Sequence, residues 1–113
     1  MTEFIVTRWS VTRGCIEQHE ESVKEIMDYL RKNAERFKLK SLRYFSQMMV
    51  GDSSIYYRVM IYEYDSIKDM ELFHKEMQED ETAKRLKNQL FANINLKSRK
   101  TERWKDKQKD LWF

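Results

Sequence analysis

At 113 residues the chain is long enough for one hydrophobic core and too short for two. Its 41% hydrophobic and 36% charged residues exclude a disordered chain, and a net charge of +3 is too small to name a polyanionic partner. The single cysteine, Cys15, excludes an internal disulfide and a cysteine-based zinc site and fits a reducing compartment. The opening residues alternate apolar and polar, and no apolar run approaches the ~18 residues that span a bilayer. Neither a signal peptide nor a membrane partner is therefore expected, and cytoplasmic residence is the default.

Residues 3 to 12, "EFIVTRWSVT", read as a first strand, with Ile5, Thr7, Trp9 and Val11 on one face and Phe4, Val6 and Arg8 on the other. "RG" at 13 and 14 breaks it. From Cys15 to about Phe37 the period becomes helical: Ile16, Val23, Ile26, Met27, Leu30, Ala34 and Phe37 form one stripe, opposite Glu17, Glu21, Lys24, Asp28 and Arg31. Alternation returns at 39 to 50, followed by "GDSS" at 51 to 54, a hairpin loop, and by a third strand at about 55 to 64. "DSIKD" then starts a helix, with Ser66 as cap and Asp69 in the reciprocal position of a capping box, and Ile67, Met70, Phe73 and Met77 facing inward. A helix restarts near Asp80, with Leu86 and Leu90 four apart. Residues 93 to 104 form a fourth strand with Ile94, Leu96 and Ser98 alternating. Residues 1 to 104 make the domain, and 105 to 113 a charged tail whose terminal "LWF" is expected to dock on its own subunit or its mate.

The order β-α-β-β-α-β is the split βαβ layout: an α+β, ferredoxin-like fold with a four-stranded antiparallel sheet and both helices on one face. The other face of such a sheet should then meet water and carry charge. Strand three instead places Ile55, Tyr57, Val59 and Ile61 on one side, and Tyr56, Met60, Tyr62 and Tyr64 with Arg58 on the other. A large apolar patch rarely stays exposed, so a second copy of the sheet is expected to cover the tyrosine and methionine face in a homodimer. Amphipathic tyrosines on a wet sheet are the alternative.

"VTRG" before a long acidic helix, "YEYDSIKDMELFHKE", and "ETAKRLKNQL" before a final strand ending in "ERW" resemble the dimeric α/β-barrel superfamily. More narrowly, the chain is similar to antibiotic-biosynthesis-monooxygenase-like and NIPSNAP-like domains over residues 3 to 104. The resemblance implies a dimeric α/β barrel with a cavity between helices and sheet. Members of the superfamily include cofactor-independent oxygenases, haem-degrading oxygenases, small-ligand sensors and proteins without known activity. The haem-degrading branch uses an Asn on strand one, a Trp ending strand three and a His on the later helix. The matching positions here, Thr7, Tyr64 and the stretch from Lys84 to Gln89, carry none of these, so that chemistry is not implied and no cofactor is expected.

His74 lies at the edge of the apolar stripe of its helix, where a neutral imidazole can take a proton from a phenolic substrate; the plainer reading is a boundary histidine facing water. His19 falls on the core stripe of the first helix and is a weaker candidate base, or simply a packed residue. Tyr64, Tyr62 and Trp9 can orient a ligand through their polar tips. Arg8 and Arg58 can hold a carboxylate or phenolate, or instead pair with Glu3 or Glu63. Cys15 reads as a small packed residue. Two histidines without clustered carboxylates make no metal site. The basic stretch from Lys97 to Lys109, interleaved with Trp104 and Trp112, has the residue types of a nucleic-acid surface, but Glu102, Asp106 and Asp110 dilute it and no nucleic-acid partner is expected. The first expectation is a cofactor-independent monooxygenase-like homodimer acting on a phenolic or quinone-like molecule. The alternative is a non-catalytic ligand-binding or assembly module of the same fold, since function resides in sites and not in folds.

Overall fold

The computed structural model describes residues 2–46 and 56–106. The expected loop at 51 to 54, the ends of strands two and three beside it, and the terminal "LWF" lie outside the described residues. Eight elements follow in order: β1 (Glu3–Val11), α1 (Ile16–Lys32), α2 (Ala34–Phe37), β2 (Ser41–Ser46), β3 (Tyr57–Tyr64), α3 (Ile67–Glu79), α4 (Glu81–Phe91) and β4 (Ile94–Lys105). The strands form one antiparallel sheet in the order β2-β3-β1-β4, the ferredoxin-like arrangement.

The first helical pattern, read as continuous to Phe37, is two helices. Asn33 sits at φ −117°, ψ 22°, outside helical geometry, and its side-chain amide donates to the Tyr29 carbonyl at 2.8 Å. The short polar side chain thus competes for the helix's own acceptor. Downstream, Lys38 takes the left-handed conformation that turns the chain into β2.

Which sheet face the helices cover corrects the expectation from strand three. Met60 and Tyr64 are buried beneath the helices, and Tyr62 and Tyr64 lie against Phe73 of α3 with ring centroids 5.6 and 5.3 Å away. The tyrosine face is therefore the helix-covered face, because wide aromatic rings fill the space between the sheet and α3 and α4. The helix-free face carries Phe4, Val6 and Arg8 of β1, opposite Glu63, Ile61 and Val59 of β3, with Phe45 and Trp104 on the flanking strands.

Two core clusters sit between the layers. One joins Ile26, Leu30, Phe37, Leu39, Tyr64, Phe73, Met77, Ala83 and Leu86. The other joins Trp9, Val11, Val23, Met60, Leu90 and Ile94, with Cys15 packed at its margin as a small residue. Ile67, expected to face inward, is exposed, since it opens α3 a turn before the helix meets the core. Ser66 caps α3 by accepting from the Asp69 N–H at 3.1 Å. Among the described residues the return bond from the Asp69 carboxylate is not formed, Asp being one methylene shorter than the usual Glu.

Alternation in β4 also breaks. Thr7 pairs with Thr101 and Arg8 with Lys100, but Ser10 pairs with Asn95, so two steps along β1 match five along β4. The Ser10 N–H donates instead to Ser98 Oγ at 2.8 Å, which satisfies a backbone donor that the bulge would orphan. Ile94 and Thr101 thereby share the helix-covered face although their numbers differ in parity, and Leu96, expected to alternate with its neighbours, is left exposed.

Candidate functional site

A cleft of about 210 Å³ opens between the sheet and the α3–α4 pair. Its floor is Ile5, Thr7 and Trp9 from β1 with Tyr62 and Tyr64 from β3; α3 contributes Phe73, His74, Met77 and Gln78, and α4 contributes Lys87, Leu90 and Phe91. Arg99 and Thr101 of β4 close the set. Aromatic walls with a few convergent polar groups are the usual makeup of a small-molecule site. A second cleft of about 220 Å³ beside α1, α2 and β2 is lined mainly by Met27, Leu30, Ala34, Leu39 and Leu42 and offers neither imidazole nor aromatic ring.

His74 lies exposed at the cleft wall, and its Nδ1 is 2.8 Å from the Met70 carbonyl oxygen. A carbonyl only accepts, so Nδ1 carries the proton of the neutral ring and Nε2 keeps its lone pair. The helix thereby fixes the tautomer that a general base at this position requires. The tyrosines cannot serve that role at neutral pH. Burial pushes the Tyr62 phenol up to about 12, with the Arg99 charge pulling the other way, and burial also pushes Tyr64 up, reinforced by Tyr62. Both remain hydroxyl donors. The Tyr64 hydroxyl is buried and has no hydrogen-bond partner among the described residues.

His19 is fully buried behind Trp9, whose indole N–H donates to His19 Nε2 at 2.8 Å. Its lone pair is thus engaged, and it does not line the cleft with His74. Burial lowers its pKa; Glu20 opposes that shift and Arg58 reinforces it. Trp9, Tyr62 and Tyr64 are brought together in the cleft, but the two candidate arginines are not. Arg8 projects from the helix-free face, pairs with Glu102 and lies 5.8 Å from the centroid of the Trp104 ring. Its side of β1 is opposite to that of Trp9, so it cannot reach the cleft. Arg58 is on the helix-covered face but is nearly buried and bound to Glu20 at 2.8 Å. The expected partners Glu3 and Glu63 are taken by Arg103 and by Lys40 with Ser41.

Lys87 and Arg99 are the cationic groups of the cleft that the sequence reading did not single out. Lys87 carried a signal: it follows Ala83 by four residues and precedes Leu90 by three on the buried stripe of α4. Arg99 carried none, because only the β4 bulge turns it toward the helices. Among the described residues no group of three His, Cys, Asp or Glu side chains is placed to hold a metal ion. Among the described residues no helix is long and apolar enough to cross a membrane.

This helix-on-sheet layout is a ferredoxin-like fold, and it is shared by solved structures of a NIPSNAP family protein, an antibiotic biosynthesis monooxygenase-like protein and dimeric ferredoxin-like proteins. A NIPSNAP family protein from Agrobacterium tumefaciens superposes with a TM-score of 0.72 at 15% identity, over 96% of each chain. A dimeric ferredoxin-like protein of unknown function from Jannaschia sp. matches at 0.68 and 13% identity, over 94% of this chain and 100% of the other. A mutant of SnoaB, a cofactor-independent oxygenase from Streptomyces nogalater, matches at 0.66 and 11% identity, over 95% of this chain and 94% of the other. No protein-family model and no curated protein sequence matches the chain.

Proposed function

We propose that the protein is a cofactor-independent monooxygenase-like homodimer acting on a small phenolic or quinone-like compound in the aromatic cleft. The observation that carries this reading is His74, with Nδ1 committed to the Met70 carbonyl and Nε2 left as an acceptor at the wall of an aromatic cleft. His74 Nε2 takes the phenolic proton, and the resulting anion passes one electron to dioxygen. The radical pair combines to a peroxide that loses water. One oxygen atom enters the ring carbon and the other leaves as water with two substrate hydrogens. The apolar wall of Trp9, Tyr62 and Phe73 limits water around the anion.

Oxygen uptake with a panel of hydroquinones tests the reading. His74→Ala is expected to lose roughly 10²–10⁴-fold of the rate, the usual contribution of a general base. Equal rates in the two proteins would end the proposal. The second reading, a non-catalytic ligand-binding or assembly module, is favoured by the exposure of His74, which leaves the imidazole open to water. Ligand binding without any oxygen uptake would select it.

Self-association belongs to both readings. Its support is the helix-free face, where Phe4, Val59 and Ile61 are flanked by Phe45, Tyr57 and Trp104, each of these three more than a third exposed in the single chain.

A further inference from the structure

We infer that the cleft selects an aromatic ligand bearing one anionic substituent, with Lys87 and Arg99 as its counter-charges and the Tyr64 hydroxyl as a further donor. This assignment rests on the reading of the cleft as the ligand site. Among the described residues no Asp or Glu lines the cleft, which carries Lys87 and Arg99. Most arginines near the sheet are spoken for: Arg8 by Glu102, Arg58 by Glu20 and Arg103 by Glu3. Lys87 and Arg99 form no ion pair among the described residues, so the cleft presents two uncompensated positive charges beside an apolar wall.

Arg99 is also held in place. Its guanidinium lies over the Phe91 ring, 4.8 Å from the centroid, and Phe91 is itself part of the cleft. A planar ligand stacked in the cleft would meet aromatic faces while its anionic edge meets a guanidinium able to give two parallel hydrogen bonds. The buried Tyr64 hydroxyl, lacking a partner among the described residues, is a donor whose hydrogen bond a ligand oxygen would complete. At about 210 Å³ the cleft is smaller than the ~300–1,000 Å³ of drug-sized sites, which suits one or two fused rings. A neutral ring would bury the same area but leave both cations without a counter-charge.

Titration calorimetry with naphthoate, dinitrophenolate, naphthylmethanol and naphthylmethylamine tests the assignment. Both anions are expected to bind about tenfold or more tightly than the neutral alcohol, and the amine more weakly still. Binding of only one anion would narrow the class to carboxylate or phenolate and still support it. The double variant Lys87→Gln with Arg99→Gln keeps the side-chain stems, and its fold is checked by far-UV circular dichroism. It should lose the preference for anions while binding the alcohol as before. Tyr64→Phe should weaken anion binding severalfold without lowering the thermal midpoint of the free protein. Equal affinities for anion and alcohol, an unchanged preference in the double variant, or no binding of any probe would overturn the inference. Charge-selective binding without oxygen uptake would retain this ligand class and remove the oxygenase reading. Oxygen uptake with no charge preference would do the reverse.

Discussion

The indole N–H of Trp9 donates to a histidine that lies fully inside the core, so one side of the cleft depends on His19 staying neutral. Protonation would replace the Nε2 acceptor with a donor facing another donor. Burial is the largest cause holding the His19 pKa below its ordinary 6.5; Glu20 opposes it, and Arg58 reinforces it. The sign follows from proton counting. Below about pH 6.5 the unfolded chain binds a proton at His19 that the folded chain refuses, so stability is full above that value and falls as pH drops toward the folded pKa. Urea midpoints at about pH 7.5 and about pH 5.5, followed by tryptophan emission, are expected to fall on acidification. His19→Gln should reduce that fall; a variant with the same pH slope as the parent would contradict the account. The stripe of α1 already placed His19 inward, at i, i+4, i+7 and i+11 with Val23, Ile26 and Leu30. Its partner was not legible, since nothing in the order of residues says that Trp9 and His19 meet.

Asp80 shows how much one residue does at the scale of the elements. Its carboxylate accepts from the Ala83 N–H at 2.8 Å and caps α4, and it also receives the Tyr29 hydroxyl of α1 and the Arg36 guanidinium of α2. Three helices are thereby pinned at one point. Its pKa is held below the usual carboxylate value by the Ala83 N–H first, with burial opposing and Arg36 and Tyr29 assisting. Asp80→Ala is expected to cost roughly 2 kcal/mol in urea unfolding, the upper range for losing an N-cap. Ser66→Ala, which removes only the α3 cap, should cost about 1 kcal/mol. Similar costs for the two would show that the contacts to Tyr29 and Arg36 add nothing. The restart of a helix at Asp80 was readable from composition, whereas its reach to α1 and α2 needed the helices packed together. Capping is local chemistry, and cross-helix contact is not.

For the molecule as a whole, the decisive feature is which sheet face the helices leave open. Ile61, half-buried, lies on that face with Val59 and Phe4 close by and the fully buried Val6 opposite it, inside a rim carrying Arg43, Glu63, Lys100 and Glu102. An apolar centre within a charged rim is the usual anatomy of a protein interface. Sedimentation at micromolar concentration is expected to give twice the mass of one chain. Ile61→Asp should give a folded protein of one-chain mass, because a charge at the centre of a two-fold interface meets its own copy. A parent protein sedimenting as one chain would remove the dimer, and an Ile61→Asp protein still sedimenting as two would place the interface elsewhere.

Residue order by itself determined the alternation of strands and helices, and hence the split βαβ layout, because periods of 2 and 3.6 are written locally. It also determined that both faces of β3 are apolar, that Ser66 caps α3 and a helix restarts near Asp80, and that His74 stands at a helix edge. Only the tertiary structure decided which face of β3 lies under the helices, since a two-sided apolar strand satisfies either choice. It alone gave Arg8 and Arg58 to carboxylates away from the cleft, and Lys87 and Arg99 to the cleft itself. The reason is concrete in β4: a bulge opposite Trp9 changes the parity of every residue beyond it, and such a shift is a property of the pairing between two strands, not of either sequence.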